Sequence, residues 1–174
     1  RFLSACAVPR GNMDQNCGRR LRSDGGDTGG RGSGDHGTDG RADEEGDRTA
    51  VVRELYDPIP FHQSLELEVL VVTPRRAETK IPFADSLVGN PDMQVLHGGI
   101  ISSIVDLTGA AVFTGECGDY TPTVDLRVNY LEAAGKQPLY ATATVERSGE
   151  NIGVASVEVE SGDTVCATGT GVYK

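Results

Sequence analysis

Lysine is scarce in this chain, with three in all (Lys80, Lys136 and Lys174), and residues 51–174 carry 8 Lys plus Arg against 17 Asp plus Glu. That balance excludes a basic patch, and with it the usual grip on nucleic acid or an anionic membrane surface. It is the kind of acidic surface that keeps a protein soluble in strong salt. Cysteine is also sparse: Cys6, Cys17, Cys117 and Cys166 show neither a metal-ligand spacing nor a disulfide framework, so isolated thiols in a reducing cytoplasm are expected, with no metal and no cofactor. No apolar run approaches the roughly 20 residues that span a bilayer. Apolar periodicity is missing altogether from GGDTGGRGSGDHGTDGRADEEGD, and residues 1–50 hold 11 of the 23 glycines. Such a segment buries too little surface to offset the entropy of ordering, so residues 1–49 read as a disordered tail. The chain begins at Arg1, so a fragment or a translated upstream region is expected, a start at Met13 or later being plausible in the second case. RFLSACAV is too short in its apolar part for a secretory signal.

What is present is concentrated between Asn90 and Phe113, in NPDMQVLHGGIISSIVDLTGAAVF. Apolar residues fall on most faces after Gly98, which suits a central helix covered by other structure. One carboxylate, Asp106, stands nine residues after His97, and no Lys or Arg occurs between Lys80 and Arg127 to pair with it locally. Desolvating an unpaired charge costs several kcal/mol, so Asp106 is a candidate functional group. Gly98 and Gly99 open the helix, where unpaired N–H groups and the positive end of the helix dipole suit a developing oxyanion. Gly98 and Asp106 are separated by about 12 Å of helix rise. A carbonyl held at one is out of reach of the other, unless an antiparallel second copy supplies it. His97 at the helix mouth is read chiefly as a capping or positioning group, with a catalytic role as the alternative.

LHGGIISSIVD followed by TPTVDLRVNYLEAAG resembles the hotdog-fold acyl-CoA thioesterases, specifically the PaaI-like branch. The resemblance covers residues 50–174 and implies an α+β fold: a curved antiparallel β-sheet wrapped around one central helix. It implies hydrolysis of an acyl-CoA to free acid and CoA. In it Gly98 N–H polarises the thioester carbonyl, Asp106 attacks or activates water, and Asn90, Gly99 and Thr123 help place substrate. Asn90 stands seven residues before His97, where the family usually has six. The expected assembly is a homodimer at minimum and commonly a homotetramer. Strands are expected at 65–73, 75–83, 123–131, 138–147, 152–160 and 164–173. Alternation along the third puts Val124, Leu126, Val128 and Tyr130 on one face and Thr123, Asp125, Arg127 and Asn129 on the other. Ala141, Ala143, Ala155, Ala167 and Gly169 are expected to let the sheet lie close on the helix. The depth of the acyl pocket is expected to depend on how Phe61, Phe83, Tyr120 and Tyr130 stack across two subunits, with His62 packed near the pocket mouth. A hotdog dehydratase and a non-catalytic acyl-CoA sensor are the competing readings. The first needs a His–carboxylate pair, and the second needs a partner domain that the tail does not suggest.

Overall fold

The computed structural model describes residues 46–174. Residues 1–45, which include most of the expected tail with Cys6, Cys17 and His36, lie outside the described residues. The chain runs through α1 (Thr49–Tyr56), α2 (Pro60–Ser64), β1 (Glu68–Thr73), β2 (Arg76–Ile81), β3 (Val88–Asn90), β4 (Val95–Leu96) and α3 (Gly98–Cys117). It continues through β5 (Thr123–Tyr130), β6 (Leu139–Ser148), β7 (Gly153–Ser161) and β8 (Thr164–Tyr173). Six strands form one antiparallel sheet in the order β1-β2-β6-β7-β8-β5, while β3 and β4 pair separately. Helix α3 packs against every strand of the large sheet. This is the expected α+β architecture.

The sheet closes on α3 because its inner positions are small or β-branched. Leu139, Ala141, Ala143 and Val145 of β6 are buried, whereas Tyr140, Thr144 and Glu146 face solvent. Ala167 and Gly169 of β8 are buried too, and a Cβ on Gly169 would overlap Val105 of the helix and stand 3.0 Å from Arg127 O. That close approach is what glycine permits there. On the helix side Ile104, Val105 and Val112 are fully covered, each contributing about 1.5–3 kcal/mol by leaving water. The helix ends at Gly118, whose φ of 69° allows its N–H to return to Thr114 O at 2.9 Å. In length and composition α3 would suffice to cross a membrane, contrary to expectation, yet most of it is buried beneath the sheet.

Two short helices replace what the sequence left unassigned before β1. Val52 and Tyr56 of α1 are buried, and the Arg53 guanidinium donates to Val69 O at 2.9 and 2.7 Å, tying α1 to β1. Leu65 caps α2 instead of starting a strand, so β1 begins at Glu68. Cys166 is a buried free thiol as expected, but Cys117 is disulfide-bonded. Pairing depends on proximity in space, which spacing along the chain does not reveal.

Candidate active site

The mouth of α3 is arranged by His97. It occupies the N-cap position with extended backbone (φ −68°, ψ 133°), and its Nδ1 accepts the Gly99 N–H at 2.9 Å. Its carbonyl accepts Ile100 N–H at 2.9 Å. An accepting Nδ1 puts the proton of the neutral ring on Nε2. Of the first-turn donors, Gly98 N–H has no hydrogen-bond partner among the described residues. It stands at the positive end of a 20-residue helix. Gly99 N–H, by contrast, is already spent on His97.

Asp106 lies two turns further on, where its carboxylate reaches the open side of the helix. Thr123 Oγ1 donates to Asp106 Oδ1 at 2.7 Å. Simple alternation along β5 placed Thr123 on the face opposite Leu126 and Val128, and the structure corrects this. A bulge between Thr123 and Asp125 sets Thr123 opposite Tyr173 while Leu126 sits opposite Gly171. One extra residue therefore turns Thr123 toward the helix. Beneath it, Tyr173 OH donates to Asp106 O at 3.3 Å and Tyr56 OH to Leu107 O at 3.1 Å. Burial first, and then the charge of Asp106, holds the Tyr173 hydroxyl far above the usual phenol range. It stays a neutral donor. The ion pairs among the described residues are Arg76–Glu78 and Lys80–Glu68, and neither involves Asp106.

A cleft of about 330 Å³ opens beside Gly98, lined by Val95, Leu96, Ile101, Tyr130 and Ala134 among others. Tyr130 lines this cleft of the single chain, and Phe61, Phe83 and Tyr120 lie outside it. His62 is buried instead, stacked on Tyr56 at 4.6 Å between ring centres. Asn90 lies on exposed β3, with its Oδ1 accepting Asp92 N–H at 3.0 Å and Met93 N–H at 3.1 Å. It shapes the turn into β4, and its amide nitrogen is left for any other work. Two further groups converge on Gly98 O, each at 3.1 Å: Ser102 Oγ and Tyr130 OH. Ser102 was legible in principle, since a serine four residues along a helix returns to the carbonyl behind it. Tyr130 is 32 residues away from Gly98, and nothing local announces the contact.

The structure thus brings His97, Gly98 and Gly99 together at one end and Asp106 with Thr123 at the other. β5 borders the site as an edge strand, unpaired on its outer side in the sheet order, with Val124 and Tyr130 more than half exposed. The helix mouth thus offers an open N–H, with a carboxylate set along the same helix. The Thioesterase superfamily model matches residues 93–168, from the approach to α3 into β8. This chain belongs to that superfamily.

Among its relatives is a protein named medium/long-chain acyl-CoA thioesterase YigI, from Salmonella typhimurium. It is 28% identical over 131 residues, covering 66% of this chain and 84% of the relative. A Saccharolobus solfataricus protein named as an esterase is 33% identical over 101 residues, covering 57% of this chain and 70% of that protein. Among solved structures, a thioesterase-superfamily protein aligns with a TM-score of 0.70 at 25% identity, covering 72% of this chain and 96% of its own. Escherichia coli PaaI, from the phenylacetic acid degradation operon, shares the fold with a TM-score of 0.65 at 18% identity, over 72% of this chain and 93% of its own.

Proposed function

We propose that this protein hydrolyses an acyl-CoA thioester, as a PaaI-like hotdog enzyme, at a site shared by two subunits. One observation carries the reading: Gly98 N–H is open for a carbonyl oxygen, while Asp106, held by Thr123, sits on the same helix about 12 Å away. One chain therefore holds two half-sites. Joining two copies along the open β5 edge gives a homodimer in which each carbonyl meets the Asp106 of the partner subunit, and pairing of dimers gives a tetramer.

The carbonyl oxygen of the thioester accepts from Gly98 N–H, which gains strength as negative charge develops on that oxygen. Water gives a proton to the Asp106 carboxylate and its oxygen adds to the carbonyl carbon. The tetrahedral adduct collapses, the carbon–sulfur bond breaks, and the departing CoA thiolate takes the proton from Asp106. Thr123 orients the carboxylate throughout. His97 fixes the mouth of the helix and leaves Gly98 as the open donor.

Release of free CoA thiol from a panel of aryl, short, medium and long acyl-CoA esters tests this, in strong salt. The medium and long chains are included because YigI is named for them. Turnover of at least one ester is expected, with kcat reduced about 10²–10⁴-fold in Asp106→Asn. Background rates across the panel, from a folded oligomer, would sink the hydrolysis reading.

A further inference from the structure

We infer that Tyr130 is a positioning residue for the carbonyl donor: with Ser102 and His97 it locks the peptide unit between Gly98 and Gly99. This inference rests on the hydrolysis reading above and adds to it a residue to which that reading gave no role. The physical problem lies in the two glycines. They let substrate approach the backbone closely, but a Gly-Gly pair has the widest conformational freedom of any dipeptide. A hydrogen-bond donor lowers a barrier well only when it is already in place before charge develops. The first turn of a helix is also the part that frays.

Three side chains answer that freedom. On one edge of the 98–99 peptide, the Gly99 N–H donates to His97 Nδ1 at 2.9 Å. On the other, the Gly98 carbonyl accepts from Tyr130 OH and from Ser102 Oγ, each at 3.1 Å. The two hydroxyl oxygens stand 2.5 Å apart, and with one proton each, one donates to the carbonyl while the other donates either to that carbonyl or to its neighbouring hydroxyl. The tyrosine ring lies flush against the glycine, since a Cβ at Gly98 would stand 3.4 Å from Tyr130 Cε1. Tyr130 itself is anchored at the end of β5, opposite the fully buried Ala167. The sheet thereby dictates where the helix mouth points. With the next peptide pinned on both edges, the direction of Gly98 N–H is set before substrate arrives.

Tyr130→Phe keeps the ring and removes the clamp's hydroxyl, and Ser102→Ala removes its second donor. The expected kcat of Tyr130→Phe on the best acyl-CoA ester falls about tenfold or more, short of the roughly 10²–10³-fold lost with an oxyanion donor itself. KM stays within about twofold, because the donor's aim matters most as charge develops. Amide hydrogen exchange in the peptide spanning 97–103 rises in Tyr130→Phe, and to a lesser degree in Ser102→Ala, while the rest of α3 and the sheet keep their wild-type rates. An active wild type with Tyr130→Phe equally active, or with unchanged exchange at 97–103, overturns the clamp and leaves the hydrolysis reading standing. A wild type inactive on every ester overturns that reading first, and the clamp's catalytic role with it.

Discussion

His62 shows how a residue next to a functional site can serve the fold alone. Its ring is buried against Tyr56, and its Nδ1–H donates to Tyr56 O at 3.1 Å. Burial pushes the imidazole below its ordinary value of 6.5, and the bond to the Tyr56 carbonyl only partly opposes this. Between the lowered folded value and 6.5 the unfolded chain binds a proton that the folded chain refuses, so stability falls as pH drops through that window. Below the folded value the loss levels off. The melting temperature of the wild type is therefore expected to decline between pH 7.5 and 5.5 more steeply than that of His62→Gln, and parallel slopes would remove His62 as the cause. At this scale the sequence was a good guide to placement within one run of chain: His97 stands at the helix mouth, Gly98 opens the helix and Asp106 follows along it, as expected. It misjudged Thr123, because alternation assumes one residue per step and a bulge adds one. It gave His62 to the pocket because nothing local says that Tyr56 will cover it.

Strand β5 reaches both Asp106, through Thr123, and Gly98, through Tyr130, and among the described residues its outer edge is unpaired. Its register with β8 turns Leu126 and Val128 inward and leaves Asp125 and Arg127 on the outer face. When such a strand pairs with its own copy about a twofold axis, the residue on the axis fixes every other contact. Arg127 on the axis sets two guanidinium groups face to face, and Asp125 on the axis does the same with carboxylates. Leu126 on the axis instead sets each Asp125 opposite Arg127 of the partner subunit, twice over. In the proposed dimer that register would also bring Thr123, and with it Asp106, beside the end of β5 in the partner subunit, so charge and the proposed chemistry favour the same alignment. Directly opposed charges are worth roughly 0.2–1 kcal/mol per pair and like charges cost a similar amount. Arg127→Asp is thus expected to weaken the dimer in dilution experiments at low salt, and the double variant Asp125→Arg/Arg127→Asp to restore it. A dimer indifferent to the single reversal would exclude this register. The six long strands and α3 were readable because alternation, turn residues and a largely apolar stretch without alternation after Gly98 each leave a clear signature. Helix α1, with eight residues, and the β3–β4 pair, with three and two, are too short for one; they form because Val52, Tyr56 and Leu96 find the core.

Charge acts on the whole molecule, and here it opposes the proposed substrate. The chain has a formal net charge of −10, of which residues 51–174 hold most. CoA carries several phosphate charges of the same sign, so the field around the protein lowers its local concentration at the site. At 0.1 M salt this field extends about 10 Å, and at 1 M it is cut to about 3 Å. The KM for an acyl-CoA ester is therefore expected to fall as potassium chloride rises from about 0.1 to 1 M. The same acyl group on N-acetylcysteamine, which has no phosphates, should show little change, because salt then has no long-range charge pair to screen. Comparing the two esters separates electrostatic repulsion from any general effect of salt on the fold, and the melting temperature in each buffer confines the comparison to folded protein. A KM for the CoA ester that climbs with salt would mean that a local cationic surface captures the phosphates despite the net charge. Arg147, exposed near the end of β6 just before the turn to β7, would then be the first residue to replace.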